Sequence, residues 1–482
     1  MEFRDLHFGK AAAEAEAAQE PELLLDGYFD PHDVPTRLRA RSIFLVLGLK
    51  GSGKSASTEY LRLLSQDQSQ LFVSRVVLND FPFQDFANIK IGGGADQARY
   101  PGAWSWLLLL TLFTSLSRDE GASSNTDPAY RETIRVLEQQ GFLSVDRLRE
   151  TVIRSSRSTI TLKLPVGLEA KVEEARARSG LHLYSAVESL RSVAMSFTSE
   201  SEHLIVIDGL DEILMDEQVQ WKALAALVLE VNRLNSSLVE HGVSAMFVLL
   251  CRTDVYGRLP LPDANKIRQD SGVGLSWYPD SEQSLDSPLF QLANMKASVH
   301  HPEVADIIDR FLPSTMTLRS AQTIPIRDYL LRMTRHTPRD YLRLLTYIQN
   351  AAPPTGRLPS QAIEAGVRKY CIDYFVPEVR NHLVGMIPEN DAFSIIGIMS
   401  AMTRHGFNLS GLERMVLSDP RHKKLDVHGA IDQLIACGAV GTMPRGERPL
   451  FNYQNPEVEL DARQTLVLHD ALITGLDISR RL

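Results

Sequence analysis

The chain has 482 residues, enough for two or three domains with ordinary cores. Its composition, 44% hydrophobic and 23% charged with 29 Gly and 24 Pro, is average for a globular protein and excludes disordered, collagen-like and disulfide-framework chains. With 51 Lys and Arg against 60 Asp and Glu, the net charge of -9 does not require a chain coated in nucleic acid or anchored to anionic lipid, and a local basic patch is compatible with it.

The first residues (MEFRDLHFGKAAAEAEAAQE) alternate charge with alanine and lack the apolar core of a secretory signal, so a cytoplasmic location is expected. Residues 1–40 read as an acidic helix and a linker punctuated by Pro31 and Pro35. The apolar run from Ser42 to Leu47 suits a buried parallel strand, and a glycine-rich turn follows it directly. A second such run, Phe72 to Leu78, stops at Asn79-Asp80. Residues 81–200 show no sheet period and read as an insertion. Its apolar stretch from Ala103 to Leu116 is shorter than the roughly 20 residues of a membrane span and reads as a buried helix.

Strands are expected again at His203–Ile207 and Ala245–Leu250, with a helix from Trp221 to His241 between them and a further strand at Gly274–Trp277. Uniformly apolar strands alternating with helices predict an α/β fold with a parallel sheet. Residues 285–350 read as a helical lid, in which Thr337 caps a helix with Pro338 in its first turn. After the loop at 351–360, helices are expected at Ala392–Met402, Leu409–Leu417 and Val427–Cys437, the last closed by Gly438. Extended stretches at Val440–Met443 and Leu450–Tyr453 flank a Pro/Gly turn like the wing of a winged-helix domain, within a unit spanning residues 351–482. Cys251, Cys371 and Cys437 lie far apart without zinc spacing and read as reduced thiols, those at 251 and 437 in apolar stretches.

The chemistry centres on Gly48-Leu49-Lys50-Gly51-Ser52-Gly53-Lys54-Ser55, which fits G-x-x-x-x-G-K-[ST] and stands between a buried strand and a helix that starts at Ala56. Such glycines let successive N–H groups face phosphate oxygens at a helix N-terminus, while Lys54 reaches the outer phosphates and the Ser55 hydroxyl binds Mg2+. The strand Leu204–Ile207 ends in Asp208, the carboxylate expected on the Mg2+ side, and Asp211 or Glu212 can orient the attacking water. Arg252, after the next strand, and Arg339, at the start of the lid helix, are candidates to respond to the γ-phosphate, against the simpler reading of both as structural arginines.

The GLKGSGKS loop, the LIVIDGLDE strand, the LLCRTD arginine and the TPRDYLRLL helix together resemble a STAND- or KAP-type P-loop NTPase of the AAA-like branch. The resemblance covers residues 40–350 in pieces and implies a P-loop NTPase sheet in a core at 41–284, a helical insertion and lid, and the winged-helix-like end. It further implies an ATP- and Mg2+-dependent switch, acting as a homo-oligomer in bacterial signalling or anti-phage defence. The chain lacks both the membrane helices of many KAP proteins and the repeat array of longer STAND proteins, so a sensor or effector in a separate chain is the expected partner. Asn265-Lys266-Ile267-Arg268 lacks the final acid of a guanine-selective motif, which favours ATP over GTP. Asn408-Leu409-Ser410-Gly411 lies after the acidic strand, unlike an ABC-transporter signature, and reads as a helix cap. The helix VHGAIDQLIACG carries no Arg or Lys, so protein contact is favoured over nucleic acid, with a DNA-handling ATPase as the alternative.

Overall fold

Apolar runs without polar alternation suit strands covered on both faces, and the computed structural model places strands in all four of the longer runs singled out above. It describes residues 1–79, 81–89, 99–143, 148–157, 181–210, 218–279, 287–317, 322–354, 356–384, 386–402, 404, 406–422, 424–444, 448–455, 458–461 and 463–478. The chain divides into two units: residues 32–47 and 57–274 form a sheet unit, and residues 1–31, 48–56 and 275–482 form a lid-and-wing unit. The lid-and-wing unit thus takes its first helices, α1 (Ala13–Gln19) and α2 (Pro21–Leu25), from the opposite end of the chain.

The sheet unit begins with α3 (Val34–Arg39), followed by β1 (Leu45–Gly48), α4 (Lys54–Asp67) and β2 (Leu71–Val77). Then come the insertion helices α5 (Phe83–Ala87), α6 (Arg99–Leu116), α7 (Pro128–Gln139), α8 (Leu148–Arg157) and α9 (Leu181–Met195). It closes with β3 (Glu202–Asp208), α10 (Gln218–Glu240), β4 (Ala245–Arg252), α11 (Thr253–Tyr256), α12 (Ala264–Ser271) and β5 (Gly272–Gly274). The five strands lie in the order β2-β3-β4-β1-β5, parallel at β2–β3, β3–β4 and β1–β5. This is a P-loop NTPase type of α/β sheet with a helical insertion.

Every residue of β1 and β4 is buried, as two covered faces require. In the insertion, α6 buries Trp104 and Trp106, and the Trp104 indole N–H donates to the carbonyl of Ala223 at 2.7 Å. Among the described residues no helix is long and apolar enough to cross a membrane. The strand expected at Gly274–Trp277 is displaced to Gly272–Gly274. Trp277 leaves the ladder because its indole N–H donates to the Ser52 carbonyl at 2.8 Å.

In the lid-and-wing unit α13 (Pro288–His300), α14 (Ile307–Phe311), α15 (Ile326–Leu331) and α16 (Pro338–Ala351) make the lid. The lid is not wholly helical: β6 (Thr315–Thr317) and β7 (Thr323–Pro325) pair as an antiparallel hairpin between α14 and α15. The opening residues form part of its core. Phe3, Leu6 and Phe8 are buried, and the Gln349 amide donates to the carbonyls of Phe3, Arg4 and Leu6 at 3.2, 3.0 and 2.6 Å. Glu16, on the acidic helix, is buried against the Lys296 ammonium.

The wing half contains α17 (Ser360–Tyr370), one π-helical turn at Cys371–Phe375, α18 (Val376–Val384), α19 (Glu389–Ser400), β8 (Gly406–Phe407), α20 (Leu409–Ser418) and α21 (Val427–Ala436). It ends with β9 (Val440–Met443), β10 (Thr465–Leu468) and α22 (Asp470–Gly475). The antiparallel order β8-β10-β9 completes a winged-helix fold. Asn408 caps α20 by accepting from the Gly411 N–H at 2.7 Å, and Gly438 adopts φ +74° after α21. The second extended stretch of the wing differs from the expected Leu450–Tyr453. Leu450 makes only an isolated bridge to Thr442, because the next residues curl: Gln454 N–H donates to the Phe451 carbonyl at 2.9 Å, and the Phe451 and Tyr453 rings stack.

Candidate functional site

The P-loop leaves β1 at Gly48 and enters α4 at Lys54. Gly51 and Gly53 have φ of +85° and +101°, a region that strains any residue with a Cβ. At Gly51 space is also denied, since a Cβ there would lie 2.9 Å from the Cβ of Arg339. At Gly53 a Cβ would meet nothing within 4 Å, so this stretch of backbone borders open space. Ser52 is buried, and among the described residues its hydroxyl has no hydrogen-bond partner. Lys54, also buried, donates from Nζ to the carbonyls of Gly48 at 3.0 Å and Leu49 at 3.1 Å. Ser55 and Ala56 follow in the first turn of α4, both half-buried. Lys50 Nζ lies 3.3 Å from Glu378 Oε2 on α18. An ammonium, an unpartnered hydroxyl, an open stretch of loop and a helix N-terminus are the donor set a polyphosphate requires.

In the sheet unit, Asp208 closes β3 and is buried. Its Oδ1 accepts from the Gly209 N–H at 2.7 Å, and its Oδ2 lies 2.7 Å from Arg75 Nη2 on β2. Arg75 also approaches the buried Glu59 on α4 at 3.3 Å, and Glu59 holds Arg62 at 2.6 Å. Gly209 has φ +83°, with Asn79 so close that a Cβ would come within 2.2 Å of its Oδ1. Asp211 and Glu212 lie outside the described residues. Strand order puts β4 between β1 and β3. At the end of β4, the buried Arg252 makes a two-pronged pair with Asp254, Nε to Oδ1 at 3.0 Å and Nη2 to Oδ2 at 2.5 Å. Its guanidinium is therefore held by its own neighbour in this structure.

Among the described residues no group of three or more His, Cys, Asp or Glu could cage a metal.

Arg339 follows the cap that the sequence indicated: Thr337 Oγ1 accepts from the Asp340 N–H at 3.3 Å and Pro338 opens α16. The Arg339 N–H donates to the Gly51 carbonyl at 3.2 Å, so the lid helix starts on the P-loop. One turn earlier sits a wholly buried ionic cluster. Arg335 Nε and Nη2 each lie 2.8 Å from an oxygen of Asp340, which also accepts from the Arg335 N–H at 3.1 Å and the Tyr374 hydroxyl at 3.1 Å. Burial alone would raise the Asp340 carboxyl, but the Arg335 charge outweighs it and holds it below the ordinary value. His336, with φ +50°, is enclosed by Tyr278 and Tyr453, and burial pushes it down to about 3. His469 of the wing, pushed down to about 4 by burial, has Nε2 3.1 Å from the Thr334 carbonyl and stacks on Phe375.

Arg75, Glu59, Glu378 and Asp340 were not singled out from the sequence. Arg75 left a signal, a charge inside the apolar run FVSRVVL, where burial demands a partner. Glu378 left none, since its partner is more than 300 residues away in the chain.

No protein-family model matches the chain, and no curated protein matches it. Among solved structures it is similar to the Orc1 protein of Aeropyrum pernix in complex with DNA, with 13% identity over 95% of this chain and 96% of that chain and a TM-score of 0.39. A likeness of that degree identifies neither family nor function.

Proposed function

We propose that the chain is an ATP-binding and hydrolysing molecular switch that regulates a partner. The observation that carries this reading is the P-loop itself: positive φ at Gly51 and Gly53, open space beside Gly53, and Lys54 resting on loop carbonyls that phosphate oxygens can replace as its partners. On this reading the loop amides and Lys54 hold the phosphates, and Ser55 and Asp208 hold Mg2+, which supplies charge neutralisation at the γ-phosphate when bound. Asp211 or Glu212 orients water. Arg339 responds to the γ-phosphate from the lid, and Arg252 can do so only by leaving Asp254.

The motifs favour the STAND/KAP type, with a homo-oligomer and a sensor or effector in a separate chain. A role in anti-phage defence or signalling belongs to the same proposal. The described exposed face of α21 favours a protein partner over DNA, because it has no Lys or Arg and its His428 is engaged with Glu413 at 3.0 Å. Binding and hydrolysis of ATP by the parent, Lys54→Ala and Glu212→Gln proteins test the reading. Lys54→Ala should lose binding by at least about a hundredfold, and Glu212→Gln should bind but release phosphate at least about a hundredfold more slowly. Unchanged binding in Lys54→Ala would exclude this site. A salt-dependent shift of duplex DNA with stimulated phosphate release would move the reading to the DNA-handling alternative.

A further inference from the structure

Among the contacts that join the P-loop to the rest of its own unit, two differ in kind. Arg339 N–H to Gly51 carbonyl is a backbone bond that side-chain chemistry leaves alone. Lys50 to Glu378 is an ion pair between side chains 37% and 19% exposed, a class weak enough to be exchanged for a denser anion. Glu378 lies in the first turn of α18, directly after the π-helical turn Cys371–Phe375. Such turns are rare and recur at functional positions. This one is tied on two sides. The Tyr374 hydroxyl donates to Asp340, and Phe375 lies between the Arg335 guanidinium, 5.2 Å from the ring centre, and His469, whose ring it stacks at 4.9 Å. His469 in turn caps α22 by accepting from the Ala471 N–H at 3.1 Å. Glu378 therefore sits one turn from the block that fastens the lid to the wing.

We propose that Glu378 is the residue through which the winged-helix domain reads the state of the P-loop. Lys50 holds Glu378 when the loop is empty and exchanges it for phosphate oxygens when nucleotide is bound. Glu378 thus opposes nucleotide binding, and the first turn of α18 is released by it. The proposal rests on the ATPase reading and adds a positioning residue outside the motifs.

The affinity of the full chain for a fluorescent, slowly hydrolysed ATP analogue with Mg2+ tests it in the parent, Glu378→Gln, Lys50→Met and the double variant. Glu378→Gln should bind about two- to fivefold more tightly, and the gain should vanish when Lys50 is also replaced. Amide hydrogen exchange over residues 371–384 should rise in the parent on adding the analogue and be high without it in Glu378→Gln. Equal affinity of the parent and Glu378→Gln overturns the proposal, as does unchanged exchange. An equal gain with and without Lys50 also overturns it, because removal of a negative charge would then be acting at a distance. If the parent binds, Lys54→Ala does not and Glu378→Gln equals the parent, the latch alone fails. A parent that binds no nucleotide ends both readings.

Discussion

Each unit of the molecule contains an Arg–Asp pair beside a motif, and the two pairs differ in how deeply they are buried. In the lid-and-wing unit, Arg335 and Asp340 meet through two contacts of 2.8 Å with side chains 6% and 1% exposed, and a backbone N–H and a tyrosine hydroxyl complete the carboxylate. In the sheet unit, Arg75 and Asp208 meet at 2.7 Å with side chains 22% and 11% exposed, and Asp208 Oδ1 accepts from the N–H of its own neighbour. A satisfied, buried pair fixes a fold because neither member can leave alone. A more exposed pair at a strand end can trade one cation for another, as the metal-side role proposed for Asp208 would require.

The largest effect should come from breaking the fixed pair. Asp340→Ala leaves the Arg335 charge buried without its counterion and should cost about 3–5 kcal/mol in denaturant unfolding. Replacing both, as Arg335→Met with Asp340→Leu, should recover most of that loss, since no charge is then stranded. A loss under about 1 kcal/mol for Asp340→Ala would put the pair in the same class as Arg75–Asp208.

Burial around the same cluster gives a pH signature. His336 and His469 titrate near 3 and 4 in the folded chain against an ordinary 6.5, so on acidification the unfolded chain takes up protons first. Their contribution is complete above pH 6.5 and is lost as pH falls toward 4 for His469 and toward 3 for His336. The slope is about 1.4 kcal/mol per pH unit for each histidine. Asp340, depressed from 3.8, adds to the loss only below that value. Unfolding measured from pH 7.5 to 4.5 should show this decline, and His469→Gln should reduce its slope by one histidine's share. An equal slope in that variant would contradict the buried, neutral state of His469.

What could be read from the sequence was what neighbours in the chain decide. The run SIFLVL followed at once by GLKGSGKS announces strand and loop, Thr337-Pro338 announces a helix start, and Asn408 and Gly438 announce caps, because each is a bond or torsion completed within about five residues. Long-range pairing was not legible. Glu16 looks like solvated charge on an alanine-rich helix until Lys296, 280 residues away, closes on it. TLVL at 465–468 is as apolar as the stretch taken for the wing, and only its ladder with β8 and β9 decides between them. In the candidate site the motif residues are named by the sequence, whereas Arg75 and Glu378, which engage Asp208 and Lys50, emerge only with the fold.

The smallest effect tests the exchangeable half of the comparison. Arg75→Met removes a partly exposed cation from Asp208 and keeps most of the side chain's volume in β2, so its cost in stability should stay below about 1 kcal/mol. On the ATPase reading its consequence appears elsewhere. Arg75 competes with Mg2+ for the same carboxylate, so the Mg2+ concentration that half-saturates nucleotide binding should fall in the variant, while binding measured without Mg2+ should stay within about twofold of the parent. If Arg75→Met instead destabilised the chain by several kcal/mol and left the Mg2+ requirement unchanged, Arg75–Asp208 would be a second fixed pair, and the Mg2+ role proposed for Asp208 would lose its support.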